Sequence, residues 1–177
     1  MFCKIKRTAA RNGLSLLEVT IGSLMAATIT MLAASVTVDL SRNMADGIAR
    51  TRVASEARLV IESFRRDFAG NDPDDVSGDR NRHRLVGKMI PTAEELRLCF
   101  DNDDDLSADW TSPDRVIIYY VDDGQLIRSD VENGRSNIIA HLVDSINFEV
   151  IGNELRITTQ FELGDVSETY VFNTPNL

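Results

Sequence analysis

The chain has 177 residues, 43% of them apolar, and a formal charge of −9. That size gives room for one membrane helix and one globular domain. The acidity argues against direct nucleic-acid binding, which needs basic contacts to phosphate, and suits a soluble domain that must stay dispersed.

Residues 1–13, MFCKIKRTAARNG, carry Lys4, Lys6, Arg7 and Arg11 and no acid. An apolar run follows from Leu14 to Val38, with Glu18 as its single charge and no proline. A helix of about 20 apolar residues crosses a hydrocarbon core roughly 30 Å thick, so residues 14–40 are predicted to be a single membrane-spanning helix. The basic flank predicts a cytoplasmic N-terminus, with the rest of the chain across the membrane. The order of parts differs from a secretory signal, in which the small-residue cleavage site follows the apolar core. Here Gly13 precedes it, so a cut after Gly13 keeps the helix.

The string Gly13-Leu14-Ser15-Leu16-Leu17-Glu18-Val19 resembles the processing motif of type IV prepilins and of type II secretion pseudopilins. The resemblance implies that a membrane-embedded prepilin peptidase removes residues 1–13 and methylates the new amine of Leu14. It also implies a role for Glu18, the fifth residue of the mature chain, in pairing with the N-terminal amine of a neighbouring subunit. Leu14 stands where the family most often has phenylalanine, which keeps the apolar character. No proline occurs before Pro73, so a straighter helix is expected than in many major pilins. Loss of the four leader cations would take the mature chain to −13 and remove Cys3. Cys99 would then have no intramolecular partner, and its place in the run Leu96–Phe100 predicts a buried thiol acting as a small hydrophobe.

The globular domain is expected over residues 41–177. From Ser41 to Phe68, the positions Met44, Ile48, Val53, Ala57, Val60, Ile61, Phe64 and Phe68 recur at spacings near three and four, the stripe of an amphipathic helix over 41–69. Arg50, Arg58, Glu62, Arg65 and Arg66 take the opposite side. Gly70-Asn71-Asp72-Pro73 ends the helix, and residues 70–84 read as a polar loop. A β-rich part fills 85–177. Strands are predicted at Leu85–Ile90, Leu96–Phe100, Arg115–Val121, Gln125–Val131, Ile146–Ile151, Glu154–Leu163 and Val166–Asn173. Asp122-Asp123-Gly124, Gly152-Asn153 and Gly164-Asp165 are the expected hairpin turns, and Ser136–Ser145 is expected to hold a short helix or turn. The fold class is α+β: one long N-terminal helix packed on an antiparallel sheet, a pilin-like arrangement. The segment RVIIYYVDDGQLIRS and the helix end Phe64–Gly70 further resemble W-type minor pilins and J-type minor pseudopilins.

Glu18 is the foremost candidate site, because a lone carboxylate in an apolar helix must be neutralised or paired. A residue snorkelling near the interface is the plainer alternative. Gly22, Ser23, Ala26, Ala27, Ala33, Ala34 and Ser35 would allow close helix contacts or reflect ordinary membrane-helix composition. Thr20, Thr28, Thr30 and Thr37 are expected to bond back to their own helix. Asp101, Asp103, Asp105 and Asp109 invite a calcium reading through carboxylates at alternate positions. Leu106 replaces the glycine, and Ser112 the bidentate glutamate, of a calcium-binding loop, so a solvated surface loop is the simpler account. Asp72, Asp74, Asp75 and Asp79 form a weaker acidic cluster. His83 and His141 lack partners at metal-ligand spacing, and no catalytic motif stands out. No cofactor besides this calcium is indicated, and the chain is read as a non-enzyme.

The resemblance implies a structural subunit, a minor pilin or pseudopilin of a type IV pilus or a type II secretion pseudopilus. Its partners would be the prepilin peptidase, other pilin or pseudopilin subunits, and the inner-membrane assembly platform. Its place would be the inner membrane, with a periplasmic domain, and then the filament. Two alternatives stand beside it. One is a competence pseudopilin serving DNA uptake; the other is a single-pass anchored periplasmic domain, an enzyme or a sensor, indifferent to Gly13 and Glu18.

Overall fold

A computed structural model of the chain describes residues 15–69 and 84–175, in two compact units that divide between Ala45 and Asp46. The predicted cut at Gly13 and Leu14, the cluster at Asp72, Asp74, Asp75 and Asp79, and His83 all lie outside the described residues. One helix, α1 (Leu16–Phe68, 53 residues), runs without a break through both units. In the first unit its side chains are exposed on every side, from Leu16 and Leu17 to Val38 and Leu40. It is long and apolar enough to cross a membrane.

The second unit contains the remainder of α1 and eight strands: β1 (Arg84–Thr92), β2 (Glu95–Asp101), β3 (Arg115–Asp122), β4 (Gln125–Asp130), β5 (Arg135–His141), β6 (Val143–Ile151), β7 (Glu154–Leu163) and β8 (Val166–Pro175). They form two antiparallel sheets where the sequence suggested one. The first has the order β1-β2-β3-β4-β5 and the second β6-β7-β8. The architecture is α+β, as expected from the sequence. Each strand pairs with its neighbour in sequence, so short turns carry most of the topology. At the β3–β4 turn, Asp123 (φ 46°) and Gly124 (φ 70°) supply the two left-handed residues of a hairpin whose twist matches its strands.

The helix stripe buries Val53, Ala57, Val60 and Phe64 against Leu96, Leu98, Ile117 and Tyr119 of the first sheet and Phe148, Ile157 and Phe161 of the second. Phe64 is the hinge of this packing. Its ring lies 4.6 Å from Tyr119, 6.1 Å from Phe148 and 6.4 Å from Phe172, touching both sheets at once. Arg50, Arg58, Glu62, Arg65 and Arg66 face solvent, as the periodicity implied.

Two sequence expectations fail here. The stripe does not reach back to Met44 and Ile48, which are 60% and 68% exposed, because the first buried helix residue is Val53. Nor is Ser136–Ser145 a helix or turn: it holds β5 and the start of β6. Strand β5 closes one edge of its sheet and buries only Ala140, so the alternation that marks a half-buried strand is missing.

Between β2 and β3, residues 102–114 fold over the outer side of β1 and β2. A Cβ on Gly87 would stand 2.7 Å from Ala108 Cβ and 3.2 Å from Trp110 Cζ2. Only a glycine lets this connection lie so close to the sheet.

Candidate functional site

The start of α1 is built by its first four described residues. The Ser15 amide donates to Glu18 Oε2 at 2.9 Å, and the Glu18 amide donates to Ser15 Oγ at 3.3 Å. This is a reciprocal capping box, which satisfies two amides that a helix start leaves without intrahelical partners. The carboxylate also sits at the positive end of the helix dipole. Glu18 therefore has a local role that the sequence reading did not assign it, although the spacing Ser15-x-x-Glu18 is itself the signature.

Beyond Glu18 the apolar segment offers little polar chemistry. Thr20, Ser23, Thr28 and Ser35 donate to carbonyls three residues back, and Thr30 and Thr37 to carbonyls four back, at 2.8–2.9 Å. All four threonines behave as the sequence implied. Gly22, Ser23, Ala26, Ala27, Ala33, Ala34 and Ser35 are all exposed, and nothing lies within 4 Å of a Cβ built on Gly22.

The acidic connection brings its carboxylates together in two sets. Asp101, Asp103 and Asp114 form one, and Asp103, Asp105 and Asp109 the other, each with oxygens within 4.8 Å of one another. The first set is occupied by the chain itself. Asp101 accepts from the amides of Asp104 (2.7 Å) and Leu106 (3.0 Å), while Asp114 accepts from those of Asn102 (3.0 Å) and Asp109 (2.8 Å). Burial pushes the Asp101 carboxyl up, but the amides of Leu106, Asp104, Asp105 and Asp103 outweigh it and hold the group below the ordinary aspartate value. Asp103 is raised, by desolvation and then by the charge of Asp105. Asp103, Asp105 and Asp109 are exposed and are the residues that could hold a hard cation such as calcium.

Cys99 lies beneath this connection, fully buried and free, as expected of it. Its thiol is 3.3 Å from Asp114 Oδ2 and 3.5 Å from the Asp109 carbonyl. Burial, the hydrogen bond to Asp114 and the surrounding carboxylates push the thiol up to about 12. His141 is exposed; its backbone amide donates to Glu56 Oε2 of α1 at 2.7 Å, and no metal set among the described residues includes it.

Periodicity counted over apolar residues missed the densest polar cluster, at the end of α1. Asp67, 2% exposed, accepts from Tyr119 Oη (2.6 Å) and Arg128 Nε (2.8 Å) at one oxygen, and from an Arg128 terminal nitrogen (3.3 Å) at the other. Ser63, one helical turn before Asp67, lies 2.9 Å from the same tyrosine hydroxyl. Register places Tyr119 directly across from Arg128. The signal was available: Ser63 and Asp67 are four apart on the Phe64 side of the helix. A second buried pair, Arg115 and Asp130, meets at 2.6 Å and is closed by Asn133. Burial raises Asp130, yet the Asn133 groups and Arg115 together hold it below the ordinary range. The Asp67–Arg128 and Arg115–Asp130 pairs are buried and fasten elements to one another.

Comparison with protein-family models, curated proteins and solved structures finds no match for this chain.

Proposed function

We propose that the chain is a minor pilin or pseudopilin, a structural subunit built into a filament through its N-terminal helix. The observation that carries this reading is an apolar helical stretch up to Val38, exposed on every side, whose single carboxylate lies in the first turn five residues after Gly13. In lipid such a helix is solvated by acyl chains; in a fibre it would be covered by the same helices of neighbouring subunits. Removal of residues 1–13 would create a cationic amine at Leu14, one step from Ser15. The Glu18 carboxylate is the matching anion for a neighbour's amine, and low dielectric makes mispairing costly. The acidic second unit would stay outside the helical core and contact other subunits.

The capping box favours a second reading, a single-pass anchored domain. Ser15 already gives Glu18 a partner, so the carboxylate has a purpose in a helix that assembles with nothing. Intact mass and N-terminal sequencing separate the two, using protein from cells with and without prepilin peptidase and a Gly13→Ala variant. The subunit reading expects a chain beginning at methylated Leu14 that disappears in both controls. An uncut chain beginning at Met1 in wild-type cells leaves the anchored domain.

A further inference from the structure

Two sheets have four outer edges, and the chain treats one of them differently. Strand β1 is broken by register shifts between Leu85 and Gly87 and between Met89 and Thr92, and it carries Lys88 and Pro91. Strand β5 follows a shift at Leu126/Ile127, and its end is tied to α1 through the His141 amide. Strand β6 has a shift between Val143 and Ser145, and its outer edge donates to Gly124 (3.0 Å) and Ala93 (2.7 Å) of the first sheet. Bulges, lysines, prolines and covering contacts are the usual means of stopping an edge from pairing with a foreign strand. Strand β8 has none of these before its last residue. Its ten pairs with β7 run without a shift, and it carries neither lysine nor arginine. Among the described residues, no strand pairs with its outer edge and no backbone hydrogen bond reaches it.

The direction of its backbone groups follows from the turn. Gly164-Asp165 is a two-residue connection, so Leu163 and Val166 flank it as a hydrogen-bonded pair. The pairs Phe161–Glu168, Thr159–Tyr170 and Ile157–Phe172 then bond across the ladder, while Ser167, Thr169, Val171 and Asn173 aim their amides and carbonyls outward. Their side chains are all exposed, Val171 by 56%.

Beside this edge an apolar crevice opens between α1 and the second sheet, lined by Ile61, Phe64, Phe161, Tyr170 and Phe172. Arg58 and Arg65 flank Ile61 by three and four residues on the helix, and both face solvent with Glu62 beside them.

We propose that the β8 edge and this crevice form a strand-addition site for an extended segment of another polypeptide. That segment would be apolar at alternate positions and carry acidic residues to meet Arg58 and Arg65. Backbone pairing to Ser167, Thr169, Val171 and Asn173 gives affinity, the apolar rim of the crevice packs against alternate side chains, and the arginines choose the sign of charge. A second copy of this chain is disfavoured as the occupant by its own charge of −9. The site belongs to the second unit alone and does not depend on how the apolar helix is used.

The test uses the full chain in detergent micelles and a synthetic peptide of alternating valine and threonine with glutamates at both ends. A lysine-ended version and one with a central proline serve as controls. Binding of the glutamate peptide, with slowed amide exchange in 166–175, is the expected result. Val171→Pro removes an outward amide and no bond to β7, so it should weaken binding about tenfold while the melting temperature holds. Arg58→Glu with Arg65→Glu should reverse the preference between the two charged peptides. Equal binding by Val171→Pro, no binding, or binding indifferent to peptide charge overturns the proposal. So does self-association of the chain that Val171→Pro abolishes, which would make a second copy the occupant.

Discussion

Asp67 and Arg128 are 61 residues apart in sequence and 2.8 Å apart in space, both shielded from solvent. The pair fixes where the last turn of α1 meets β4, and Tyr119 closes it from β3. Removing one member leaves an uncompensated buried charge, whereas removing both leaves a site that apolar groups can fill. Asp67→Leu or Arg128→Met should each cost roughly 3–5 kcal/mol of stability. The double variant Asp67→Leu/Arg128→Met should recover most of that loss. Urea unfolding of the three variants checks this, and single costs that simply add would sink the idea of a coupled pair.

The capping box separates two roles of one side chain. Glutamine can occupy the third helical position of such a box, so Glu18→Gln keeps the bond to the Ser15 amide and discards the charge. Ser15→Ala keeps the charge and should cost the helix start about 1 kcal/mol. On the proposed reading, filament assembly collapses in Glu18→Gln and survives in Ser15→Ala. An anchored domain would be indifferent to Glu18→Gln, with circular dichroism in micelles reporting unchanged helix in that variant.

With its thiol at about 12, Cys99 is ionised to roughly one part in ten thousand at pH 8, and the connection over it blocks access. In a chain beginning at Leu14, a disulfide-exchange reagent should label nothing while the protein is folded and one thiol after unfolding. Gly87→Ala forces the Ala108–Trp110 stretch away from the sheet, costing about 1–3 kcal/mol as overpacking does. Its thiol should react about tenfold faster or more, which time-resolved labelling would show.

Two groups contribute to the acid and alkaline limits. Asp130 is held below its ordinary value of 3.8, so the folded state binds its proton less readily than the unfolded chain. Its contribution is complete above that value and is lost as pH falls through the folded one. Cys99 is raised from 9.0, so the folded state keeps a proton that the unfolded chain releases, and stability falls as pH rises from about 9 towards 12. Urea midpoints measured across pH should slope on both sides. Asp130→Asn should lessen the acid slope, and Cys99→Ala the alkaline slope.

The sequence made the helix and hairpins legible because their signals are local: a stripe of period near 3.6, alternation in Leu155–Phe161, and glycine at the β3–β4, β6–β7 and β7–β8 turns. It misjudged what depends on distant partners. Met44 and Ile48 continue the helical spacing, yet both are exposed. Ile138 and Ile139 belong to an edge strand identified only by the ladder with β4. The partners of Asp67, Tyr119 and Arg128, come from β3 and β4. The split into two sheets was likewise invisible, since Leu142, at φ 64°, marks the break without a glycine or proline to announce it.

The inward-turned hydroxyls of Thr20, Ser23, Thr28, Thr30, Ser35 and Thr37 leave the apolar stretch of α1 without a directional vocabulary. Whatever lies alongside it, acyl chain or helix, meets methyls and methylenes and can slide or turn with little to catch on. Glu18 is then the single tooth on a smooth rod, and any alignment along that rod must be read at its first turn.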